Sequence, residues 1–394
     1  MAIEGRAAGE RAGSLTLRAI APIAAAGLGL AAIAWAAAST GPEASRSARA
    51  LSVFIGAAGG IALYHAAFGF TGAWRRVQRE GRAAGLRAQL LLLAFVIIAS
   101  YPLIALTDMR PWVFPIGLAS AIGAAMFGVG MQLAGGCGSG VLFTLGGGST
   151  RMILALGAFL AGSALWVGTR QIWADLPTFG RASLIAEFGA PIALAATLLA
   201  LALLWRLSLA YERARCGDIE TPKRTGSLWR GPWSRALGAA VLAGVVIACF
   251  LTLGRPWGIT AAYPLWAGQI AEAAGLPIRS FGDWRSVGLD RSVFEDATSV
   301  MNFGVMLGAL GAAGLAGAFA PRLSLTGRDA LTAIVGGLLM GYGARLAYGC
   351  NVGGFIGGIA SASLHGWWWL LFGALGSFLG VALRERLGMD PPRR

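Results

Sequence analysis

The chain has 394 residues, of which 56% are hydrophobic and only 13% are charged, and its formal net charge is +14. A soluble domain carries about 25% charged residues, so this composition excludes a soluble enzyme of this length. The apolar runs are continuous and reach the roughly 20 residues that a bilayer-spanning helix needs, which excludes a barrel of alternating polarity and predicts an all-α polytopic membrane protein.

Ten transmembrane helices are predicted in chain order. Between a polar N-terminal tail (1–18) and a C-terminal tail (385–394), the predicted spans are 19–38, 51–72, 88–107, 115–134, 152–170, 188–206, 236–254, 299–320, 330–348 and 366–384. The first span is longer than the apolar core of a cleaved signal peptide, and further spans follow it directly.

The basic residues predict the orientation of these spans. With a cytoplasmic N-terminus, and with a residue at the last position of a span counted in the adjoining segment, 22 Lys and Arg residues fall in cytoplasmic segments, 9 fall in external ones, and Arg345 alone remains inside a span. Because short cytoplasmic loops are enriched in Lys and Arg, we expect both termini in the cytoplasm. The positive charge therefore reflects membrane orientation, and no nucleic acid is expected as a partner.

Two local patterns recur in the same order in both halves of the chain. Phe68–Trp74 resembles Trp257–Tyr263, and Gly130–Cys137 resembles Gly343–Cys350. In the predicted topology the two copies of each pattern run in opposite directions, as in transporters built from inverted repeats. We predict a five-plus-five inverted repeat, with chance similarity in a chain rich in Gly and Ala as the alternative. The predicted repeats are 19–206 and 236–384, joined by a basic cytoplasmic linker at 207–235.

Two charge-free stretches, of 40 and 38 residues, are too long for one span each. Each contains a glycine cluster around a cysteine, so we expect a break followed by a short re-entrant half-helix that starts near Gly138 or Asn351. Irregular backbone at membrane depth lines a cavity or lies buried in protein. The half-helix N-termini would direct N–H groups and positive dipole ends to an anion-binding centre.

Cys137 and Cys350 occupy matching places in these two breaks. A single buried cysteine is most often an apolar filler, but matching positions in both halves favour a functional role. Cys249 lies in the middle of a predicted span and is interpreted as packing. Cys216 lies in a charged cytoplasmic loop and is assigned no role.

Further candidates for substrate binding lie near the two cysteines or within the repeated patterns. Arg345 either attracts an anion or snorkels to the interface, and Gln132 is its counterpart in the first half. Thr71 and Thr260 either offer hydroxyls to a substrate or bond back to a helix carbonyl. The complete predicted set is Gly136, Cys137, Gly138, Ser139, Gly349, Cys350, Asn351, Gly353, Arg345, Gln132, Thr71, Thr260 and Trp257.

No metal, cofactor or catalytic residue is expected. The two histidines are far apart in sequence, and the chain contains neither a phosphate-binding loop nor a dinucleotide-binding glycine motif. His65 is interpreted as a core residue in preference to a proton relay. His365 is placed in a loop before Trp367–Trp369, which is interpreted as an interfacial belt. No Asp or Glu lies well inside a predicted span, which argues against a cation pathway.

These motifs resemble the YeeE/YedE sulphur-transport family over about residues 50–384. The resemblance rests on Gly136–Gly140, Trp257–Thr260 and Tyr348–Gly354. It implies an hourglass-shaped importer of thiosulfate or related sulphur species in the bacterial inner membrane, with re-entrant helices and cysteines at its constriction. The thiosulfate-carrying branch has a third cysteine about where Phe68–Phe70 stands here. The chain is therefore closer to the YedE-like branch, for which a selenium compound is suggested as cargo.

The leading hypothesis is a transporter of a small sulphur- or selenium-containing anion, in which weak, polarizable S–H donors meet the cargo. One alternative is a membrane sulphur-relay enzyme that carries a persulfide on Cys137 or Cys350. The other is a structural partner of a second membrane protein, packed through Gly304 and Gly308. Besides the anion and the lipid bilayer, a cytoplasmic sulphur-carrier protein is a candidate partner.

Overall fold

The computed structural model describes residues 17–221, 224–280, 282–321 and 324–390. The predicted N-terminal tail lies outside the described residues up to residue 16, and the C-terminal tail does so after residue 390. The α-helices of the described part are α1 (Leu17–Ser39), α2 (Arg46–His65), α3 (Phe70–Glu80), α4 (Ala84–Leu106), α5 (Leu118–Ala134), α6 (Gly138–Gly146), α7 (Arg151–Thr169), α8 (Leu184–Phe188), α9 (Ala190–Cys216), α10 (Arg235–Leu253), α11 (Tyr263–Ala273), α12 (Ala297–Leu315), α13 (Gly327–Leu346), α14 (Gly357–Ala360) and α15 (Leu364–Arg386).

Ten helical segments within the described ranges are long and apolar enough to cross a membrane. They contain α1, α2, α4, α5, α7, α9, α10, α12, α13 and α15, one for each predicted span. The prediction of an all-α polytopic membrane protein is confirmed. A small antiparallel ribbon adds to it, in which β1 (Pro115–Gly117) pairs with β2 (Thr178–Arg181).

Some predicted boundaries are wrong. The second span ends at His65, and the chain turns at Ala67, whose φ is +46°, before Phe70 opens the separate helix α3. Helix α9 continues to Cys216, well past the predicted end at residue 206, because its polar last turns form ion pairs outside the apolar region. Six of the ten long helices begin before residue 207 and four begin at residue 235 or later, so a five-plus-five division requires α9 in the second half.

The helices pack in matching pairs. Helix α2 packs against α12 as α10 packs against α4, and α7 packs against α13 as α15 packs against α5. In two further packed pairs, α5–α13 and α2–α10, the two helices occupy corresponding places in the two halves. When α1–α7 are matched in order with α9–α15, each of these six pairs corresponds to another of them or to itself. This packing agrees with a two-fold relation, and the inverted repeat itself stays a prediction.

Glycines allow these helices to approach closely. At the α2–α12 crossing, Gly56 faces the carbonyl of Met301 and Gly60 that of Val305, while Gly304 faces a carbonyl of α2 in return. A Cβ atom on any of the three glycines would overlap a backbone oxygen. In membranes, where helices gain little from the hydrophobic effect, such small-residue contacts stabilise association.

The loops gather into two groups at opposite ends of the bundle. Segments predicted to be cytoplasmic are joined by ion pairs of Arg79 with Glu385 (3.2 Å), Arg76 with Glu220 (3.1 Å) and Arg235 with Glu220 (3.2 Å). Segments predicted to be external are joined by the Arg170–Asp283 ion pair and by the hydrogen bond from the Leu364 N–H to the Ala182 carbonyl (3.1 Å). This grouping agrees with the predicted alternation of the spans, and the assignment of one group to the cytoplasm stays a prediction.

Candidate substrate site

The two cysteines precede short helices. Helix α6 begins at Gly138 directly after Cys137, and a π-helical turn (Asn351–Ile356) begins directly after Cys350 and leads into α14. Both cysteines have the same extended backbone, with φ −83° and ψ −171° at Cys137 and φ −88° and ψ −168° at Cys350. The short helices thus start at the two residues that the sequence predicts, and they repeat one local geometry.

The two breaks meet inside the molecule. A Cβ atom built on Gly138 would lie 3.0 Å from the sulfur of Cys350 and 3.5 Å from Cγ2 of Thr260. Cys137 and Cys350 are buried, with exposures of 1% and 0%. The two cysteines therefore lie much closer together than the roughly 30 Å thickness of an apolar bilayer core.

Backbone N–H groups lie near each sulfur. Those of Phe70 and Gly140 lie near Cys137, and those of Val352 and Gly353 lie near Cys350. The hydroxyl of Ser139 lies 3.4 Å from the Cys137 sulfur. Among the predicted residues, Gly138, Ser139 and Gly353 therefore lie beside the cysteines, Thr260 lies next to Gly138, and Gly136 and Gly349 form the preceding turns. N–H groups at helix N-termini stabilise negative charge.

Gln132 is not among the described contacts of the cysteines, and it supports the site through hydrogen bonds. Its Nε2 donates to the Thr71 carbonyl (3.1 Å) and to the Ser377 hydroxyl (2.9 Å). It thereby fixes the first turn of α3, which also contributes Phe70 to the Cys137 surroundings. In the second half, Asn302 of α12 has the same task, since its Nδ2 donates to the Ile259 carbonyl at 2.9 Å. Sequence reasoning missed Asn302.

Buried polar atoms without a hydrogen-bond partner collect at this place in the described structure. They include the Thr71 hydroxyl, both amide atoms of Asn351, the Trp257 indole N–H and the Tyr263 hydroxyl. Tyr263 is fully buried and lies within electrostatic range of both thiols. An unsatisfied buried polar group costs about 1–3 kcal/mol, so a group of them indicates a place for water or a ligand.

Sequence reasoning also missed Tyr263. It ends the repeated pattern in the second half, where the first half has Trp74. The indole N–H of Trp74 donates to Gln89 (2.9 Å), so that donor is already satisfied. The repeated pattern identifies residue 263 as the counterpart of Trp74, but whether its hydroxyl has a partner depends on residues distant in sequence.

Aromatic side chains pack against the helix break at Cys350. Their positions show that two predictions are wrong. Trp369, predicted at the membrane interface, is fully buried, stacks on Phe355 (6.3 Å) and donates to the Gly349 carbonyl (3.0 Å). His365, predicted in a loop, lies buried in α15 with Nε2 2.9 Å from the Ala347 carbonyl. The reason is that Ser363 caps α15, which starts the helix before the histidine and packs its first turns against the break.

The remaining cysteines and His65 lie apart from this site. The sulfur of Cys249 is 3.7 Å from that of Met301, a contact that fits the predicted packing role. Cys216 ends α9 and donates to the Glu80 carbonyl (3.3 Å), so its predicted place in a loop is wrong. His65 is buried beside Trp233, with ring centroids 5.4 Å apart. Among the described residues, no group of three or more His, Cys, Asp and Glu side chains could hold a metal ion.

Arg345 is not among the described contacts of the two sulfurs. Its guanidinium carbon is 5.0 Å from the ring centroid of Trp166, and it lines two cavities that it shares with Arg170. The structure therefore divides the predicted site residues into a group around the cysteines, a support that contains Gln132, and a separate basic position at Arg345.

Comparison with known proteins identifies the family. The model of the sulphur transport family matches residues 65–379, a range that contains both cysteine breaks and both repeated patterns. The chain belongs to the sulphur transport family. The resemblance inferred from the glycine and cysteine motifs is thereby confirmed, while the relation to a selenium-carrying branch stays a prediction.

Several relatives in this family are named as transporters. The thiosulfate transporter TsuA of Spirochaeta thermophila is 28% identical over 342 residues, which cover 81% of this chain and 94% of that protein. TsuA of Escherichia coli K12 is 27% identical over 68% of this chain and 73% of that protein. The probable transporter YedE of Escherichia coli K12 is 31% identical over 144 residues, so the match spans about a third of each protein (36%).

Proposed function

We propose that this chain carries a small sulphur-containing anion, such as thiosulfate, into a bacterial cell through a constriction formed by Cys137 and Cys350. One observation carries the proposal: two buried cysteines, each followed by a short helix with the same starting geometry, lie side by side inside the bundle. The similarity to a thiosulfate transporter over most of both chains supports the same cargo class.

The chemistry of the constriction suits a sulphur anion. A neutral thiol offers a weak S–H donor and a polarizable atom, and both match a terminal sulphur better than they match a hard oxygen. The N–H groups near the two cysteines lie at helix starts, where partial positive charge accumulates. The anion would therefore be held by soft contacts at its sulphur and by N–H donors at its oxygens.

The buried polar atoms without hydrogen-bond partners would replace the water molecules that hydrate the anion outside the protein. The Thr71 hydroxyl and the Asn351 amide belong to the first and second halves respectively, and Tyr263 adds a hydroxyl within electrostatic range of both thiols. Because a buried anion is costly unless several donors meet it, this group favours an ion that passes through dehydrated. A selenium-containing anion shares the soft atom and the charge, and it is the alternative cargo.

We further propose that the halves are inverted repeats, α1–α7 and α9–α15, whose breaks close the path from opposite sides. The matching helix pairs and the equal backbone angles at the two cysteines support this division. With both termini in the cytoplasm, α3 and α6 would close the path from one side of the membrane. Helices α11 and α14 would close it from the other side. A cytoplasmic sulphur-carrier protein as recipient of the cargo stays a prediction.

Growth on defined sulphur sources tests the proposal. A bacterial strain without its own sulfate and thiosulfate importers is supplied with the chain, and with the empty vector as control. Growth is measured on thiosulfate, sulfite or sulfide as the sole sulphur source, and selenium incorporation is measured from selenite. We expect the chain to restore growth on thiosulfate. If the chain supports uptake of none of these species, the proposal is contradicted.

Serine variants separate a transporter from a sulphur-relay enzyme. A relay needs a thiol that forms a persulfide, so Cys137→Ser and Cys350→Ser would each remove all activity. A hydrogen-bonding constriction keeps an O–H donor of similar size, so we expect reduced but measurable uptake. Complete loss in both serine variants, with normal amounts of protein in the membrane, would favour the relay enzyme.

A further inference from the structure

Two cavities lie on the side of the cysteines that is predicted to be external. The larger, of about 410 Å³, is bounded by both strands of the ribbon and by Trp166. The smaller, of about 120 Å³, reaches Ala261 and Pro264, which lie in and next to the Thr260–Tyr263 turn beside Cys350. Arg345 lines both cavities, so it stands where a path from the outer surface would narrow on its way to the cysteines.

The guanidinium of Arg345 is held in place but not neutralised. It lies over the Trp166 ring at 5.0 Å, a geometry that fixes a cation without removing its charge. Its Nε is buried without a hydrogen-bond partner. Among the described residues no carboxylate forms an ion pair with it, and Asp283, the acid that lines the smaller cavity, is paired with Arg170.

We propose that these cavities form an anion-binding antechamber in which Arg345 holds a small oxyanion before it reaches Cys350. The proposal rests on the proposed function for the nature of the cargo. The smaller cavity has room for about four water molecules at roughly 30 Å³ each, which is the size range of one small oxyanion. A planar guanidinium with several N–H donors matches such an ion in both charge and shape.

In the predicted repeat, the counterpart of Arg345 in the first half is a neutral residue. Gln132 is the counterpart of Arg345 in the repeated pattern, and it is engaged by Thr71 and Ser377 as a neutral support. The positive charge at residue 345 therefore occurs in one of the two predicted halves, at the end of α13 that is predicted to be external.

Binding measured without transport tests the antechamber. The purified full-length protein is titrated calorimetrically with thiosulfate and with sulfate, which has the charge but lacks the terminal sulphur. We expect Arg345→Gln to weaken binding of both ions at least tenfold and Arg345→Lys to restore part of it, with unchanged thermal stability in both variants. Arg279→Gln is the matched control, because Arg279 is exposed, pairs with Glu272 and Asp290, and lines neither cavity.

The outcomes distinguish this inference from the proposed function. Equal affinities of the wild type and Arg345→Gln for both ions would overturn the antechamber, even if the chain transports thiosulfate. Sulfate binding that depends on Arg345 in a chain that transports no sulphur anion would support the antechamber and contradict the transport proposal. Loss of binding in Arg279→Gln equal to that in Arg345→Gln would also overturn the antechamber, because the effect would then be one of general charge.

Discussion

Tyr263 and Tyr101 show how differently two buried hydroxyls can be placed. Both side chains are fully buried. The Tyr101 hydroxyl donates to the Ile359 carbonyl (3.0 Å) and contacts the Thr197 hydroxyl (3.2 Å). The Tyr263 hydroxyl has no such partner in the described structure and lies within electrostatic range of both thiols. The first hydroxyl therefore stabilises the fold, and the second is available to cargo.

We predict that Tyr263→Phe raises the KM for thiosulfate uptake about tenfold, since a hydrogen bond to a charged group contributes about 1.5–3 kcal/mol. Its thermal stability should stay at or above that of the wild type, because an unsatisfied group is removed. Tyr101→Phe is the control and should lower the melting temperature with an unchanged KM. An unchanged KM in Tyr263→Phe would show that its hydroxyl does not contact the cargo.

At the scale of residues, repetition in the sequence was informative only where both copies do the same thing. Cys137 and Cys350 could be predicted because each breaks a helix in the same way. Gln132 and Arg345 could be predicted as counterparts, but their different surroundings could not, because these depend on helices distant in sequence. Tyr263 carries no sign of its free hydroxyl in the sequence, since that depends on what its neighbours fail to offer.

The elements that hold the site depend on glycine contacts between helices. Gly60 of α2 sits directly on the Val305 carbonyl of α12, and Gly157 of α7 has no atom within 4 Å of its Cβ position. We predict that Gly60→Ala destabilises the protein by about 1–3 kcal/mol, a typical cost of overpacking. Gly157→Ala should leave stability unchanged or slightly raised, because alanine favours helix.

Thermal unfolding of both variants in the same detergent measures this difference. A melting temperature of Gly60→Ala equal to that of the wild type would show that α2 and α12 can separate without cost. The two variants make the same chemical change in a membrane-spanning helix, so an effect confined to Gly60 is one of helix contact.

Long and short elements differed in how far the sequence could predict them. The ten long helices follow from continuous apolar runs, because a bilayer imposes their length. Helices α3 and α11 were missed as separate elements, since eleven residues of mixed polarity give no such signal. Their positions depend on Gln132 and Asn302, which bond to the backbone at the start of each segment.

For the whole molecule, the two groups of loops predict which residues face each side of the membrane. Cys137, Cys249 and Cys350 are buried, so a background in which only Cys216 is replaced has no accessible thiol among the described residues. In that background we expect Ser280→Cys to react with an impermeant maleimide in intact spheroplasts, because Ser280 is exposed in the predicted external loop. Ser227→Cys, exposed at the opposite end, should react only after lysis.

The reverse labelling pattern would mean that the molecule is inserted upside down, with the Arg345 cavities facing the cytoplasm. Labelling of both positions in intact spheroplasts would contradict the alternation of the ten helices. The orientation of the molecule in the membrane is a prediction, and either result would change the side from which cargo reaches the cysteines.

Uptake of radiolabelled thiosulfate by proteoliposomes that contain only the purified chain tests whether the two cysteines form the transport constriction. We expect saturable uptake by the wild type and by Cys249→Ala, intermediate uptake by Cys137→Ser and Cys350→Ser, and uptake no greater than that of empty liposomes by Cys137→Ala and Cys350→Ala. Cys249 is the matched control, since it is equally buried but contacts Met301. Wild-type uptake equal to that of empty liposomes, or full uptake by Cys350→Ala, would contradict a constriction formed by the two cysteines.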